Sequence, residues 1–176
     1  MITKNKIKPY LSESEIQQAI AELGKKLNKI YKDEEVFLVC VLKGASMFMT
    51  DLAKRLTMPV QMEFIRLSSY GSSTKSSGNV RTINMSLPNL NDKNVIIVED
   101  IVDAGYTAKF MIDFFSNNYK TKSLKFCSLL NKKSKREVDI NPDLYCFDVE
   151  DKFIVGYGLD YDEQYRNLPY IGYLEL

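Results

Sequence analysis

The chain has 176 residues, 45% of them hydrophobic and 27% charged, an ordinary globular composition that fits one domain over residues 1–176. Its 24 Lys and Arg against 23 Asp and Glu leave a formal net charge of +1, which removes the simplest electrostatic case for a nucleic-acid or membrane-surface partner. Histidine is absent, so His-dependent triads, H-E-x-x-H zinc sites and imidazole acid/base chemistry are excluded.

The N-terminal stretch has no apolar core of the kind a signal peptide needs. Ser12 and Glu15 have capping-box spacing, and Ile16, Ile20, Leu23, Leu27 and Ile30 recur on one face, predicting a helix. The unbroken apolar run at 36–42 predicts a strand buried on both faces, and it is far short of the roughly 20 residues that span a bilayer. Lys43-Gly44 breaks it, residues 45–56 suit a helix, and 60–67 a second strand. Residues 68–80 hold six serines, two glycines and no acid, and predict a mobile loop. A third strand is expected at 95–98, a turn at 103–105 and a helix at 106–118. A fourth strand is expected at 124–130, with shorter ones at 153–155 and 171–174. Strands alternating with helices predict an α/β fold with a mainly parallel sheet.

Cys40, Cys127 and Cys146 are widely spaced and odd in number, which suits buried thiols in a reducing cytoplasm. Residues 117–136 carry seven Lys or Arg and no acid, whereas residues 137–176 carry ten acids against Lys152 and Arg166. Most of these charges are expected on solvated surface, with a few facing a site.

The segment 95–110, VIIVEDIVDAGYTAKF, carries the chemistry. A buried strand leads into Glu99, Asp100 and Asp103, at the carboxyl end where open parallel sheets bind ligands. The Ala104-Gly105 turn then opens a helix at Tyr106-Thr107, whose free N–H groups and positive dipole end suit a phosphate. Acids beside a phosphate call for Mg²⁺ or sugar hydroxyls between them. A phosphate, a diol and Mg²⁺ together describe a phosphorylated ribose.

VIIVEDIVDAGYT resembles the thirteen-residue phosphoribosyl-pyrophosphate signature of the type I phosphoribosyltransferases. CVLKGASMF, RLSSYG and DKFIVGYGLDYDEQYRNLPYIG resemble the first active-site loop, the flexible catalytic loop and the purine-binding segment of the hypoxanthine-guanine branch. The resemblance covers roughly residues 36–174. It implies a mainly parallel twisted sheet flanked by helices, with a small hood formed by the N- and C-terminal segments. It also implies transfer of a 5-phosphoribosyl group from phosphoribosyl pyrophosphate to N9 of a 6-oxopurine, with Mg²⁺ as cofactor and a homodimer or homotetramer as assembly.

Carried over residue by residue, the resemblance assigns Glu99 and Asp100 to the ribose hydroxyls and metal, and Ala104, Gly105, Tyr106 and Thr107 to the 5-phosphate. Asp103 matches the general base near purine N7; a carboxylate is ionised at neutral pH and needs no histidine to accept a proton. Lys132 matches the donor to purine O6, with Lys133 as the neighbouring alternative. Phe153 matches the stacking aromatic, Ile154 a backbone contact to the base, Asp160 a group at the base and a Mg²⁺ ligand, and Arg166 a pyrophosphate arginine. Lys43 and Gly44 match the pyrophosphate loop, where the family often has a non-proline cis peptide. Ser69 and Tyr70 match the loop that closes over the site.

Three departures stand out. Ala104 replaces a usual Thr, which predicts weaker phosphate binding. Tyr106 stands at a variable position and is expected to contribute only its backbone. The turn expected at 146–150 lacks the usual Gly and Pro. A transferase for xanthine or adenine is the nearest alternative. A nucleic-acid-binding regulator that senses phosphoribosyl pyrophosphate is the other, opposed by only 35 residues, near charge balance, ahead of the first expected strand.

Overall fold

A computed structural model describes residues 7–69, 80–84 and 86–175. Strand β1 (Lys8–Leu11) precedes helix α1 (Glu13–Tyr31), followed by β2 (Val36–Leu42), α2 (Ser46–Ala53), β3 (Val60–Ser69) and β4 (Val80–Asn84). Then come β5 (Asn94–Val102), α3 (Tyr106–Asn118), β6 (Ser123–Asn131), a 3-10 turn at Lys133–Lys135, β7 (Leu144–Asp148), β8 (Phe153–Val155) and β9 (Ile171–Leu174).

The main sheet has the order β4-β3-β2-β5-β6-β7. Five strands run parallel, and β4 is antiparallel at one edge. Strand β2 shows why its apolar run is unbroken. Val36, Leu38 and Cys40 enter the core under α1 and α2, while Phe37, Val39 and Val41 enter the core under α3. Each large apolar side chain so buried contributes about 1.5–3 kcal/mol. A second, antiparallel sheet, β1-β9-β8, joins the two ends of the chain as the expected hood. Ile154, Tyr157, Leu159 and Ile171 pack it onto the α1/α2 core.

Several expectations are corrected. Ile30 was expected on the buried face of the first helix, but it is 48% exposed, and Tyr31 takes the core position at the helix end. The third strand extends to Val102, so Glu99 and Asp100 lie within it and only Asp103 lies beyond. Cys146 to Asp148 form strand rather than turn, because β7 completes the sheet edge against β6. Ser69 ends β3, while Tyr70 and most of the predicted loop lie outside the described residues. Cys40 and Cys127 are buried and Cys146 is half-buried, all as free thiols. Burial pushes the Cys40 and Cys146 thiols up to about 12. No helix among the described residues is long and apolar enough to cross a membrane.

Candidate active site

The carboxyl end of β5 and the start of α3 enclose a cavity of about 700 Å³. Glu99, Asp100, Asp103, Ala104, Gly105, Tyr106 and Thr107 all line it. The turn between strand and helix needs Gly105, whose φ of 95° is left-handed and whose Cβ, if present, would lie 2.7 Å from Ile140 Cγ2. The N–H groups of Glu137 and Val138 donate to the Ala104 carbonyl at 3.0 and 3.1 Å and brace the turn from behind. The first backbone bond into α3 runs from Lys109 N to Gly105 O at 2.9 Å. The N–H groups of Tyr106, Thr107 and Ala108 therefore have no partner within the helix and face an anion-binding position. Tyr106 does more than its expected backbone role: its hydroxyl donates to Glu137 at 2.8 Å.

Glu99 and Asp100 crowd one another at the strand end. Burial, then the Asp100 carboxylate, pushes the Glu99 carboxyl well above the ordinary range. Burial also raises Asp100, against the Ile101 N–H, which donates to it at 2.8 Å, and the charge of Arg166. Glu99 Oε2 is buried without a hydrogen-bond partner. Such a pair favours a cation or hydroxyl donors as its ligand. Among the described residues no three acidic or thiol side chains converge into a cation site of their own. Asp160 accordingly does not join Glu99 and Asp100 in a protein-only cluster. One or two carboxylates completed by ligand oxygens is the usual way Mg²⁺ is held, so the acids present fit that ion.

The residues between β2 and α2 meet this site at very close range. The Leu42-Lys43 peptide is cis, which settles a point the resemblance left open. A Cβ on Gly44 would lie 1.6 Å from Asp100 Oδ2, so any larger residue would displace the carboxylate. On its other side, Gly158 (φ 101°) lies so close that its own Cβ would fall 2.0 Å from the Gly44 carbonyl. Arg166 fixes that segment: Nη1 donates to Gly158 O at 2.8 Å, and Nη2 pairs with Asp160 at 2.8 Å. Glu163, not anticipated from sequence, reaches Lys43 at 2.7 Å and Arg166 at 3.5 Å. The two cations expected to meet pyrophosphate thus share one carboxylate.

Lys132 and Lys133 separate cleanly. Lys132 is buried, with Nζ donating to the Lys152 carbonyl at 2.9 Å and standing 3.8 Å from Asp103 Oδ2. Lys133 turns outward to Asp148 at 3.0 Å. Phe153 is 37% exposed and meets Tyr161 edge-on, with ring centroids 5.4 Å apart. Ile154 puts its side chain in the core, so only its backbone is available to a ligand. Lys135 and Glu137 line the cavity but were not anticipated. Lys135 lay unseen within a basic run, and nothing in sequence singled out Glu137.

Residues 7–162 match the family described as the phosphoribosyl transferase domain. The chain is 45% identical over 168 residues to a hypoxanthine-guanine phosphoribosyltransferase of Bacillus subtilis (strain 168), covering 96% of this chain and 93% of that protein. It is 39% identical over 171 residues to a hypoxanthine phosphoribosyltransferase of Salmonella typhimurium, covering 96% of each. The crystal structure of a hypoxanthine-guanine phosphoribosyltransferase from Bacillus anthracis superposes with a TM-score of 0.91 at 40% identity, over 97% of this chain and 100% of that one. The chain belongs to the phosphoribosyltransferase family, in its hypoxanthine-guanine branch.

Proposed function

We propose that the chain acts as one catalytic domain of purine salvage, joining N9 of hypoxanthine or guanine to C1 of phosphoribosyl pyrophosphate. The observation that carries this reading is the buried Lys132 ammonium beside Asp103, which lines a cavity together with Glu99, Asp100 and the N-terminus of α3. The N9–C1 bond forms as the C1–O bond to pyrophosphate breaks, and pyrophosphate leaves with the bonding electrons. Positive charge would build on the ribose ring as C1–O cleavage runs ahead of N9–C1 bonding, beside Glu99 and Asp100.

The first-turn N–H groups of α3 and the Thr107 hydroxyl would grip the 5-phosphate, anchoring the end of the ribose remote from the reaction. Glu99 and Asp100 would accept from the ribose hydroxyls. Mg²⁺, held by these acids or Asp160 together with ligand oxygens, would neutralise charge on the departing pyrophosphate. Lys43 and Arg166 would exchange Glu163 for pyrophosphate oxygens, with Arg166 able to offer two parallel donors. Phe153 would stack on the base. Lys132 would donate to O6, an arrangement that disfavours adenine because its 6-amino group sets donor against donor. Asp103 would take the proton that the purine releases. Ser69 and Tyr70 are assigned to the loop that excludes water, a role in keeping with the position of Ser69 at the end of β3. A cytoplasmic enzyme working as a homodimer or homotetramer is the setting this reading expects.

The test is turnover of the purified protein with phosphoribosyl pyrophosphate, Mg²⁺ and each of hypoxanthine, guanine, xanthine and adenine, following pyrophosphate and nucleoside 5′-monophosphate. Products are expected with hypoxanthine or guanine and not with adenine. Turnover confined to adenine, or none with any base, contradicts the proposal.

A further inference from the structure

A lysine ammonium has three N–H donors. For Lys132, one is spent on the Lys152 carbonyl at 2.9 Å, and the Asp103 carboxylate stands 3.8 Å from the same nitrogen. The Lys152 carbonyl therefore restricts the directions open to the remaining N–H groups.

Lys152 is partly exposed, yet its ammonium has several partners. Its ammonium lies 4.8 Å from the centre of the Tyr10 ring and 4.6 Å from that of Tyr173, and pairs with Glu150 at 2.8 Å. The two rings meet edge-on, 6.1 Å apart, from strands β1 and β9. Two aromatic faces and a carboxylate thus fix one cation, and the Lys152 N–H donates to the Glu150 carbonyl at 2.9 Å. The next residue, Phe153, begins β8 and pairs with Leu174 of β9. The clamped residue thus supplies the carbonyl that accepts from Lys132 and directly precedes Phe153 in the chain.

We infer that Lys152 is a positioning residue for the base, its ammonium clamped between Tyr10 and Tyr173 so that its carbonyl aims the free N–H of Lys132 at purine O6. This rests on the reading of Lys132 as the O6 donor. The hood sheet then has a function beyond closing the fold: it sets the rotation of a buried ammonium on the far side of a backbone carbonyl. Loss of the clamp lets the ammonium swing and weakens base recognition, while leaving the phosphate and pyrophosphate contacts untouched.

The test compares steady-state KM values for hypoxanthine and phosphoribosyl pyrophosphate in wild-type protein, Lys152→Met and Lys152→Arg. Methionine keeps the length and loses the charge. It is expected to raise the hypoxanthine KM about five- to tenfold with the phosphoribosyl-pyrophosphate KM within about twofold of wild type. Arginine keeps a cation over both rings and is expected to restore the base KM. An unchanged hypoxanthine KM in Lys152→Met, or an equal rise in both KM values, overturns the inference. Should Lys152→Met fail to fold, Tyr173→Leu against Tyr173→Phe gives the same split, the Phe ring preserving the clamp and Leu removing it. Wild-type protein without turnover would overturn the proposed function itself, whereas active wild type with indifferent variants overturns the clamp alone.

Discussion

Lys132 Nζ stands 3.8 Å from Asp103 Oδ2, the lysine side chain only 8% exposed and the aspartate side chain 50% exposed. The asymmetry matters. A nearly buried ammonium needs fixed partners, and it finds them in this carboxylate and the Lys152 carbonyl. The half-exposed aspartate remains free to meet a ligand. The group proposed to identify the base and the group proposed to deprotonate it therefore sit side by side, an arrangement that would couple recognition of O6 to removal of a proton through one position of the purine.

Lys132→Met is expected to raise the KM for hypoxanthine about 10- to 100-fold, since a hydrogen bond to a charged group is worth about 1.5–3 kcal/mol. The phosphoribosyl-pyrophosphate KM should change much less. Kinetics with each substrate varied in turn check this, and an equal effect on both would assign Lys132 to general structure.

Gly44→Ala should lower turnover on the order of 100-fold while leaving most of the fold intact. The added methyl group would lie 1.6 Å from Asp100 Oδ2, so either the Asp100 carboxylate or the 43–45 turn must move. A displacement of about 1 Å is enough to cost on the order of 100-fold in rate. Turnover and thermal unfolding measured together distinguish this local effect from global loss. Near-normal rates in a folded variant would mean that the turn and Asp100 do not act together.

Asp51 gives a stability prediction with a definite pH sign. Burial works to raise its carboxyl, but hydrogen bonds from Tyr157, Lys54 and Gln17 outweigh this and hold it below the ordinary value. Tyr157 Oη donates at 2.6 Å, Gln17 Nε2 at 2.7 Å and Lys54 Nζ at 2.9 Å. A folded value below the unfolded one contributes stability that is complete above about pH 4 and is lost as the pH falls through the folded value. Tyr157→Phe should accordingly cost about 1.5–3 kcal/mol at pH 7. Urea unfolding at pH 7 and pH 3 should show the gap between wild type and variant narrowing at the lower pH.

What the sequence disclosed depended on whether a signal was local. The apolar run of β2 was legible to the residue because burial on both faces demands an unbroken pattern. Strands β8 and β9 were likewise placed at their true bounds, and α3 began where the Gly105 turn required. Strands β1, β4 and β7 were not foreseen. They lie at sheet edges, and β1 contains Pro9, so their extended form depends on a distant partner more than on their own pattern. The acids and the helix start of the site were visible as a contiguous motif. The approach of Gly44 to Asp100, the Glu163 bridge and the clamp on Lys152 join residues remote in sequence, and no spacing encodes such meetings.

The assignment of Asp103 as the base is tested most directly by Asp103→Asn, in single-turnover experiments with hypoxanthine alongside direct measurement of phosphoribosyl-pyrophosphate binding. Asparagine preserves size and leaves Lys132 its bond to the Lys152 carbonyl, so the site should keep its shape. The rate should fall by about 10²- to 10⁴-fold with the binding constant little changed. Near-normal turnover in a variant that binds phosphoribosyl pyrophosphate normally would contradict the account.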